Sequence, residues 1–336
     1  MATNLMRPIK KSIIITGGCG FLGSHLCERL LKEDYFVVCV DNFSTARSEN
    51  QQYLEALPGA KEQLIIVRAN IVQPWSWIED IEPSRLENLE FVFHFASPAS
   101  PIHYQRLALE TLWANSVGLA HALTAADRFG ARAIFSSTSE IYGDPQVRPQ
   151  PESYWGNVNT FGERSCYDEA KRFGESLIFT HNLKKSTRHG LVRIFNTYGP
   201  RMNPVDGRVV INFLVQALKG ESLSVYGNGA QTRSFCFVDD LIEGILKYAR
   251  ATHIVEPVNI GNPTEMTILE FAQTVQKLFS ASNLQIVHKP LPSDDPQIRC
   301  PDLTRARTLL NWEPKIHLKE GLSRMKDWLE QSGFKK

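Results

Sequence analysis

The sequence is short of the features that would carry it to a membrane, to nucleic acid or to a metal. No apolar run approaches the ~20 residues needed to cross a bilayer. The opening stretch MATNLMRPIKKS has no apolar signal core and leads directly into a strand-like segment. An excess of one charge is missing too. The chain has 37 Lys and Arg against 36 Asp and Glu, a formal net charge of +1, which offers no hold on nucleic acid or an acidic lipid surface. Two basic clusters, Arg7 to Lys11 and Lys335-Lys336, stand at the ends and read as solvated tails. The six cysteines (Cys19, Cys27, Cys39, Cys166, Cys236 and Cys300) form no CxxC pair and no His/Cys spacing suited to zinc. They read as reduced, packed thiols. A soluble, cytoplasmic protein without metal, nucleic-acid or membrane partner is expected. Internal repeats and low-complexity segments are absent as well.

What is present is a rhythm. Of the 336 residues 43% are hydrophobic, ample for one large or two moderate domains. Strand-like runs SIIIT (12–16), FVVCV (36–40), LIIVRA (64–69), LEFVFHF (89–95), AIFSS (133–137) and GLVRIFN (190–196) alternate with helical patterns. The helical patterns cover 22–31, roughly 104–129 and about 161–183. Near-continuous β-branched runs between helices predict an α/β fold, a doubly wound parallel sheet covered on both faces. Beyond about residue 200, Pro, Gly and short elements become common. Helices near 209–218, 239–250, 267–279 and 317–330 then suggest a smaller C-terminal lobe packed on the sheet.

The first strand runs into TGGCGFLG, with Gly17, Gly20 and Gly23 opening a helix. Glycines there permit a tight turn, close approach of backbone to a pyrophosphate, and close helix–sheet packing; the helix N-terminus adds unpaired N–H groups. Such a pattern alone also fits a plain βα turn. Here a second strand ends in Asp41, 18 positions past Gly23, where a carboxylate accepts both ribose hydroxyls and repels a 2′-phosphate. The cofactor is read as NAD, with Arg47 in the same loop keeping NADP open. A Rossmann-type nucleotide-binding domain is therefore expected over 1–200, leaving open whether 234–260 returns to it. The substrate lobe is expected mainly over 201–336.

CYDEAKR (166–172) sets Tyr167 and Lys171 four apart in a helix, on one face and one turn apart. An ammonium beside a phenol favours phenolate, so Lys171 is expected to lower the Tyr167 pKa and fit it to accept a proton from a sugar hydroxyl. Alone, the pair also fits a surface aromatic–lysine contact. SSTSEIYGDP (136–145) places Thr138, Ser139 and Glu140 where a strand runs into a loop.

TGGCGFLG, Tyr167-xxx-Lys171 and Thr138 together resemble the extended short-chain dehydrogenase/reductases, which act on nucleotide sugars, over nearly the whole chain. HFASPASPIHY (94–104), STSEIYGDP (137–145), YWGNVNTFGERSCYDEAKR (154–172), RIFNTYGPRM (193–202), DGRVVINF (206–213), YGNGAQTRSF (226–235) and DDPQIRCPD (294–302) resemble the branch that decarboxylates UDP-glucuronate. The resemblance implies oxidation at C4 by NAD, loss of CO₂ from the resulting β-keto acid, and re-reduction to UDP-xylose by the same NADH. It assigns Thr138 to the reacting C4 oxygen, with Tyr167 and Lys171 beside it. Glu140 falls near the substrate carboxylate and C5, with a solvated loop glutamate as the alternative. Ser139 stands where sugar 4,6-dehydratases need an acid, which favours the decarboxylases.

The resemblance further implies that Gly17, Gly20, Phe21, Leu22, Gly23, Asp41, Asn42, Ser44, Asn70, Ile71 and Ala96, with Tyr167 and Lys171, meet NAD. Pro98, Tyr104, Ser139, Glu140, Asn196, Val210, Tyr226, Arg233 and Arg299 are implied to meet the UDP-sugar acid, the two arginines on its diphosphate. Arg193 and Arg201 read equally well as braces of the NTYGP turn. Asn70, Arg148, Thr160 and Ala170 depart from the family's usual Asp, His, Pro and Gly. His94 is expected packed beneath the nicotinamide pocket, His25 on a helix face, and Trp312 in the core. Relatives pair the helices near 104–129 and 161–183, so a homodimer is implied. A UDP-galacturonate decarboxylase, a nucleotide-sugar 4-epimerase and a catalytically silent NAD-sensing protein remain alternatives.

Overall fold

The computed structural model describes residues 10–279, 284–290 and 296–333. The basic ends at 7–9 and 335–336, and residues 294–295 of the DDPQIRCPD segment, lie outside the described residues. Seven strands form one parallel sheet: β1 (Ser12–Thr16), β2 (Phe36–Asp41), β3 (Leu64–Arg68), β4 (Leu89–His94), β5 (Arg132–Thr138), β6 (Gly190–Ile194) and β7 (Val258–Ile260). Their order is β7-β6-β5-β4-β1-β2-β3, with the chain reversing direction across the sheet between β1 and β4.

Alternate residues of these strands enter two different cores, which is why the runs look uniformly apolar. Ile13, Ile15, Val37, Cys39, Phe91, Phe93, Ile134 and Val192 face one side, against Leu26 and Leu30 of α1 (Phe21–Lys32). Ile14, Val38, Val92, Ala133, Phe135 and Leu191 face the other, against the two helical segments that follow β4 and precede β6. Every strand but the edge strand β3, which is only partly buried, thus buries both faces, as a parallel sheet between helical layers requires.

The continuous helix expected over 104–129 is divided. It comprises α2 (Pro101–Arg106), α3 (Ala108–Trp113), one wide turn over Ala114–Gly118, and α4 (Leu119–Phe129). Leu107, at φ −116° and ψ 47°, leaves the helical region between the first two. The Thr111, Asn115 and Ser116 side chains bond the carbonyls four residues back, competing with the backbone ladder where the turn widens. The next helix, α5 (Ser165–Lys185), begins after 161 because Asn159 accepts the Phe161 N–H and holds a turn.

The C-terminal half is not separate. Helix α6 (Val209–Lys219) packs with α8 (Ile268–Leu278) and α9 (Leu318–Gln331) through Phe213, Phe271, Leu322 and Met325. These residues belong to the same apolar cluster as one face of the sheet. Between them α7 (Val238–Arg250) returns to that face and leads to β7, which pairs with β6 in parallel. Arg132 at the start of β5 fastens this return. Its guanidinium, 7% exposed as a residue, donates to the carbonyls of Tyr248, Ala249, Ala251 and Ile254 at the end of α7. Arg132→Leu leaves those buried carbonyls without a donor, and a stability loss of about 3 kcal/mol in urea unfolding is expected. A loss below about 1 kcal/mol would mean that water satisfies them.

Candidate active site

The strands end on one side in a cleft of about 880 Å³. Every residue assigned from sequence to cofactor, substrate or catalysis lines it, although these residues are scattered from Gly17 to Arg299. Its floor begins at the β1–α1 turn. Gly17 has φ +70°, and a Cβ there would lie 2.8 Å from Ala96 backbone atoms; a Cβ on Gly23 would lie 2.1 Å from the Gly17 carbonyl oxygen. Only glycine closes this turn. Phe21, Leu22 and Gly20 follow at the start of α1, leaving its first N–H groups toward the cleft.

Asp41 ends β2 with its carboxylate 7% exposed as a residue. Each of its oxygens already accepts one backbone N–H, Oδ2 from Cys19 at 3.0 Å and Oδ1 from Phe43 at 2.8 Å. Burial pushes its pKa up, and these N–H groups oppose that. One further lone pair on each oxygen is left for hydroxyls. Asn42 closes a turn onto Ser44, and Asn70 a turn onto Val72 beside Ile71. Arg47 lines the cleft and pairs with Glu49 at 2.6 Å.

The centre of the cleft joins the end of β5 to the first turns of α5. Tyr167 and Lys171 are both buried. The Lys171 Nζ donates to the Ser136 carbonyl at 2.6 Å and lies 5.7 Å from the Tyr167 ring centroid. Burial lowers its pKa to about 7. The expected depression of the Tyr167 phenol is corrected by the structure: burial drives it above its ordinary value, and the Thr138 hydroxyl is the strongest opposing neighbour. Lysine is too short of charge and too distant to outweigh desolvation here. Tyr104 stacks on Tyr167 with ring centroids 5.0 Å apart and planes 9° apart, and its buried hydroxyl has no partner.

Glu140 is not the solvated loop residue. Thr138 opens a short turn, Ser139–Tyr142, by accepting the Glu140 N–H. The Glu140 Oε2 then accepts from Arg164 Nη2 at 2.5 Å and Arg299 Nη2 at 2.7 Å. Burial opposes its ionisation, but Arg299 and Arg164 hold its carboxyl down at about 2. Both of these bonds fall on Oε2, none from the described residues falls on Oε1, and Glu140 lines the cleft. Arg299, assigned from sequence to a diphosphate, has its other terminal nitrogen on the Gly143 carbonyl, so its charge is directed to Glu140.

Arg164 and Asp168 were not singled out from sequence. Asp168 Oδ2 lies 4.0 Å from Arg164 Nε, and Oδ1 is buried without a donor among the described residues. Burial, then Glu140, push its pKa up to about 7. Helical phasing holds the missed signal: Arg164 and Asp168 stand one turn apart and flank Tyr167.

Asn196, Val210, Tyr226 and Arg233 line the cleft too, as do Pro98 and Ser139. Arg193 is a brace, bonded to both oxygens of Glu175, to the Tyr142 hydroxyl and to the Glu152 carbonyl. Arg201 lines the cleft but bonds Ser24 and Glu28 of α1. His94 lies between Thr16 and the Ala114 carbonyl, where burial lowers its pKa to about 3. His25 is on α1 but buried, its Nε2 2.8 Å from the Pro200 carbonyl. Trp312 is buried and donates to the Asp240 carbonyl. Away from the cleft, Asp127, His181 and His189 have a spacing suited to a metal. The Ala133 N–H, however, donates to His189 Nδ1, which keeps the proton on Nε2 and denies a metal that lone pair.

A model of the NAD dependent epimerase/dehydratase family matches residues 13–261. The chain is 46% identical over 313 residues to UDP-glucuronic acid decarboxylase 2 of Arabidopsis thaliana, covering 93% of this chain and 67% of that protein. It is 44% identical to UDP-glucuronic acid decarboxylase 1 of Danio rerio, covering 94% and 72%. Among solved structures it is similar to UDP-glucuronic acid 4-epimerase from Bacillus cereus in complex with UDP-glucuronic acid and NAD, with a TM-score of 0.82, 26% identity and coverage of 96% and 99%.

With Glu140 held at about 2, below an ordinary 4.5, its contribution to stability is complete above the ordinary value and is lost as pH falls through 2. Arg164→Met removes one of its two cations. The acid limb of unfolding, followed by circular dichroism, should move up by about one pH unit. An unchanged midpoint would show that Arg299 suffices.

Proposed function

The chain belongs to the NAD dependent epimerase/dehydratase family, and we propose from its cleft that it converts UDP-glucuronate to UDP-xylose and CO₂. The observation that carries this reading is Glu140, an ionised carboxylate fixed by two arginines two residues beyond Thr138. Its relatives named as decarboxylases support the same substrate.

The glycine turn and Asp41 fit NAD, since a side chain at Gly17 or Gly23 would collide with neighbouring backbone and force the turn open, and Asp41 keeps lone pairs for ribose hydroxyls. NAD bound there supplies reversible acceptance of hydride from C4, so the overall reaction is redox-neutral. Thr138 and Tyr167 hold the C4 oxygen, and Tyr167 takes its proton. The buried phenol is eased toward giving up its own proton chiefly by the Thr138 hydroxyl, with Lys171 anchored behind it on Ser136. A C4 ketone makes the uronate a β-keto acid. Loss of CO₂ leaves an enolate whose oxygen Tyr167 and Thr138 stabilise. Glu140, ionised and unable to turn away from Arg164 and Arg299, repels the uronate carboxylate and so favours its departure as CO₂, and the proton added at C5 is drawn from solvent. Asn196, Tyr226 and Arg233 hold the UDP moiety.

Incubation with UDP-glucuronate labelled in its carboxyl group, with NAD, should release labelled CO₂ and form UDP-xylose. Tyr167→Phe should slow release by about 10²–10⁴-fold. UDP-galacturonate without CO₂ would instead indicate 4-epimerisation, and inertness toward every UDP-uronate would leave a binding protein.

We also infer a homodimer. Leu109 and Trp113 on α3, with Phe173, Phe179 and Leu183 on α5, are all more than half exposed. An apolar stripe of this kind on two adjoining helices suits a second copy. Six free thiols, two of them 3.6 Å apart, favour a reducing compartment, the cytoplasm in this reading. Phe179→Glu should convert the dimer to monomer in light scattering; a mass unchanged at that of a dimer would place the interface elsewhere.

A further inference from the structure

Asp168 follows Tyr167 on α5 and takes no part in the steps above. Its setting is unusual for an acid. Among the described residues one oxygen is buried without any donor, and the other approaches its nearest cation only to 4.0 Å. Glu140, by contrast, takes the bonds of both arginines on one oxygen. Asp168 is therefore the unsatisfied member of a buried group of four: two carboxyls and two guanidiniums.

We propose that Asp168 carries a proton in the working site and acts as a positioning residue: while it is neutral, Arg164 and Arg299 outnumber Glu140, and the cluster offers one net positive charge to the uronate carboxylate. The inference rests on the uronate reading of the cleft. An ionised Glu140 repels a second carboxylate, so binding one beside it requires cations in excess. With Asp168 ionised the four charges cancel; with Asp168 protonated they do not.

The groups facing Asp168 agree. From the turn after β5 comes Glu140, and from α5 itself Glu169, both of which disfavour its ionisation. Arg164 and Arg299 oppose them, and burial outweighs all. Burial pushes up the Tyr104 phenol, the Tyr167 phenol and the Cys166 thiol, so these neighbours stay uncharged and leave the balance to the four charged groups. The first turn of α5 favours a carboxylate, yet no N–H of that turn reaches Oδ1.

Calorimetric titration of the whole protein with UDP-glucuronate and with UDP-glucose, from about pH 6 to about pH 9, tests this. UDP-glucose has the same diphosphate and no carboxylate. Affinity for UDP-glucuronate is expected to weaken about tenfold as pH rises through 7, while affinity for UDP-glucose stays level. Asp168→Asn, close in shape and permanently neutral, should keep the tighter binding throughout. A flat wild-type profile, a parallel loss for UDP-glucose, or an unchanged profile in Asp168→Asn would each overturn the proposal. Should that variant fail to fold, the wild-type comparison of the two sugars decides. CO₂ is measured in the same samples: if the uronate binds without releasing it, decarboxylation fails while the Asp168 comparison still stands, and if the uronate binds at no pH, both fail.

Discussion

A carboxylate that must stay ionised away from water governs this architecture. Glu140 accepts from Arg164 and Arg299 on a single oxygen, and the two donors stand 135 positions apart in the chain. One stands just before α5, the other between α8 and α9. A buried charge of this kind is tolerable only when fully compensated. The site therefore cannot form until β5, α5 and the C-terminal segment have met. The ion pairs of these three side chains tie β5, α5 and the C-terminal segment together at the wall of the cleft.

The Tyr167–Lys171 pair shows where a motif stops and a fold begins. Spacing placed both side chains on one helical face, and the structure has them there. The direction of their influence did not follow from spacing. Lys171 is anchored on the Ser136 carbonyl and buried, which weakens its hold on its own proton, and the Tyr167 phenol is raised instead of lowered. Charge effects in a motif depend on how much water the fold removes, and four letters of sequence do not carry that quantity.

Legibility followed the same boundary elsewhere. The parallel sheet was readable because its strands, the edge strand β3 apart, bury two faces and so show a continuous apolar run. The glycine turn was readable because a Cβ at Gly17 or Gly23 has nowhere to go. The division of the 104–129 helix was hidden, since Thr111, Asn115 and Ser116 are ordinary helix-surface residues until their side chains turn back on the backbone. Arg164, Asp168 and Arg132 were hidden for another reason: each is an unremarked polar residue whose meaning comes from partners distant in sequence. Arg132 finds its carbonyls 116 to 122 positions away.

The sheet is completed late. Strand β7 pairs with β6, but it is made only after the chain has passed through the lobe, more than sixty residues beyond the end of β6. A nascent polypeptide leaving the ribosome will thus present β6 as an open parallel edge for as long as that stretch takes to emerge. Exposed edges of this type invite pairing with other chains. Closure of that edge is therefore a long-range event, deferred until residues 258–260 are available to pair.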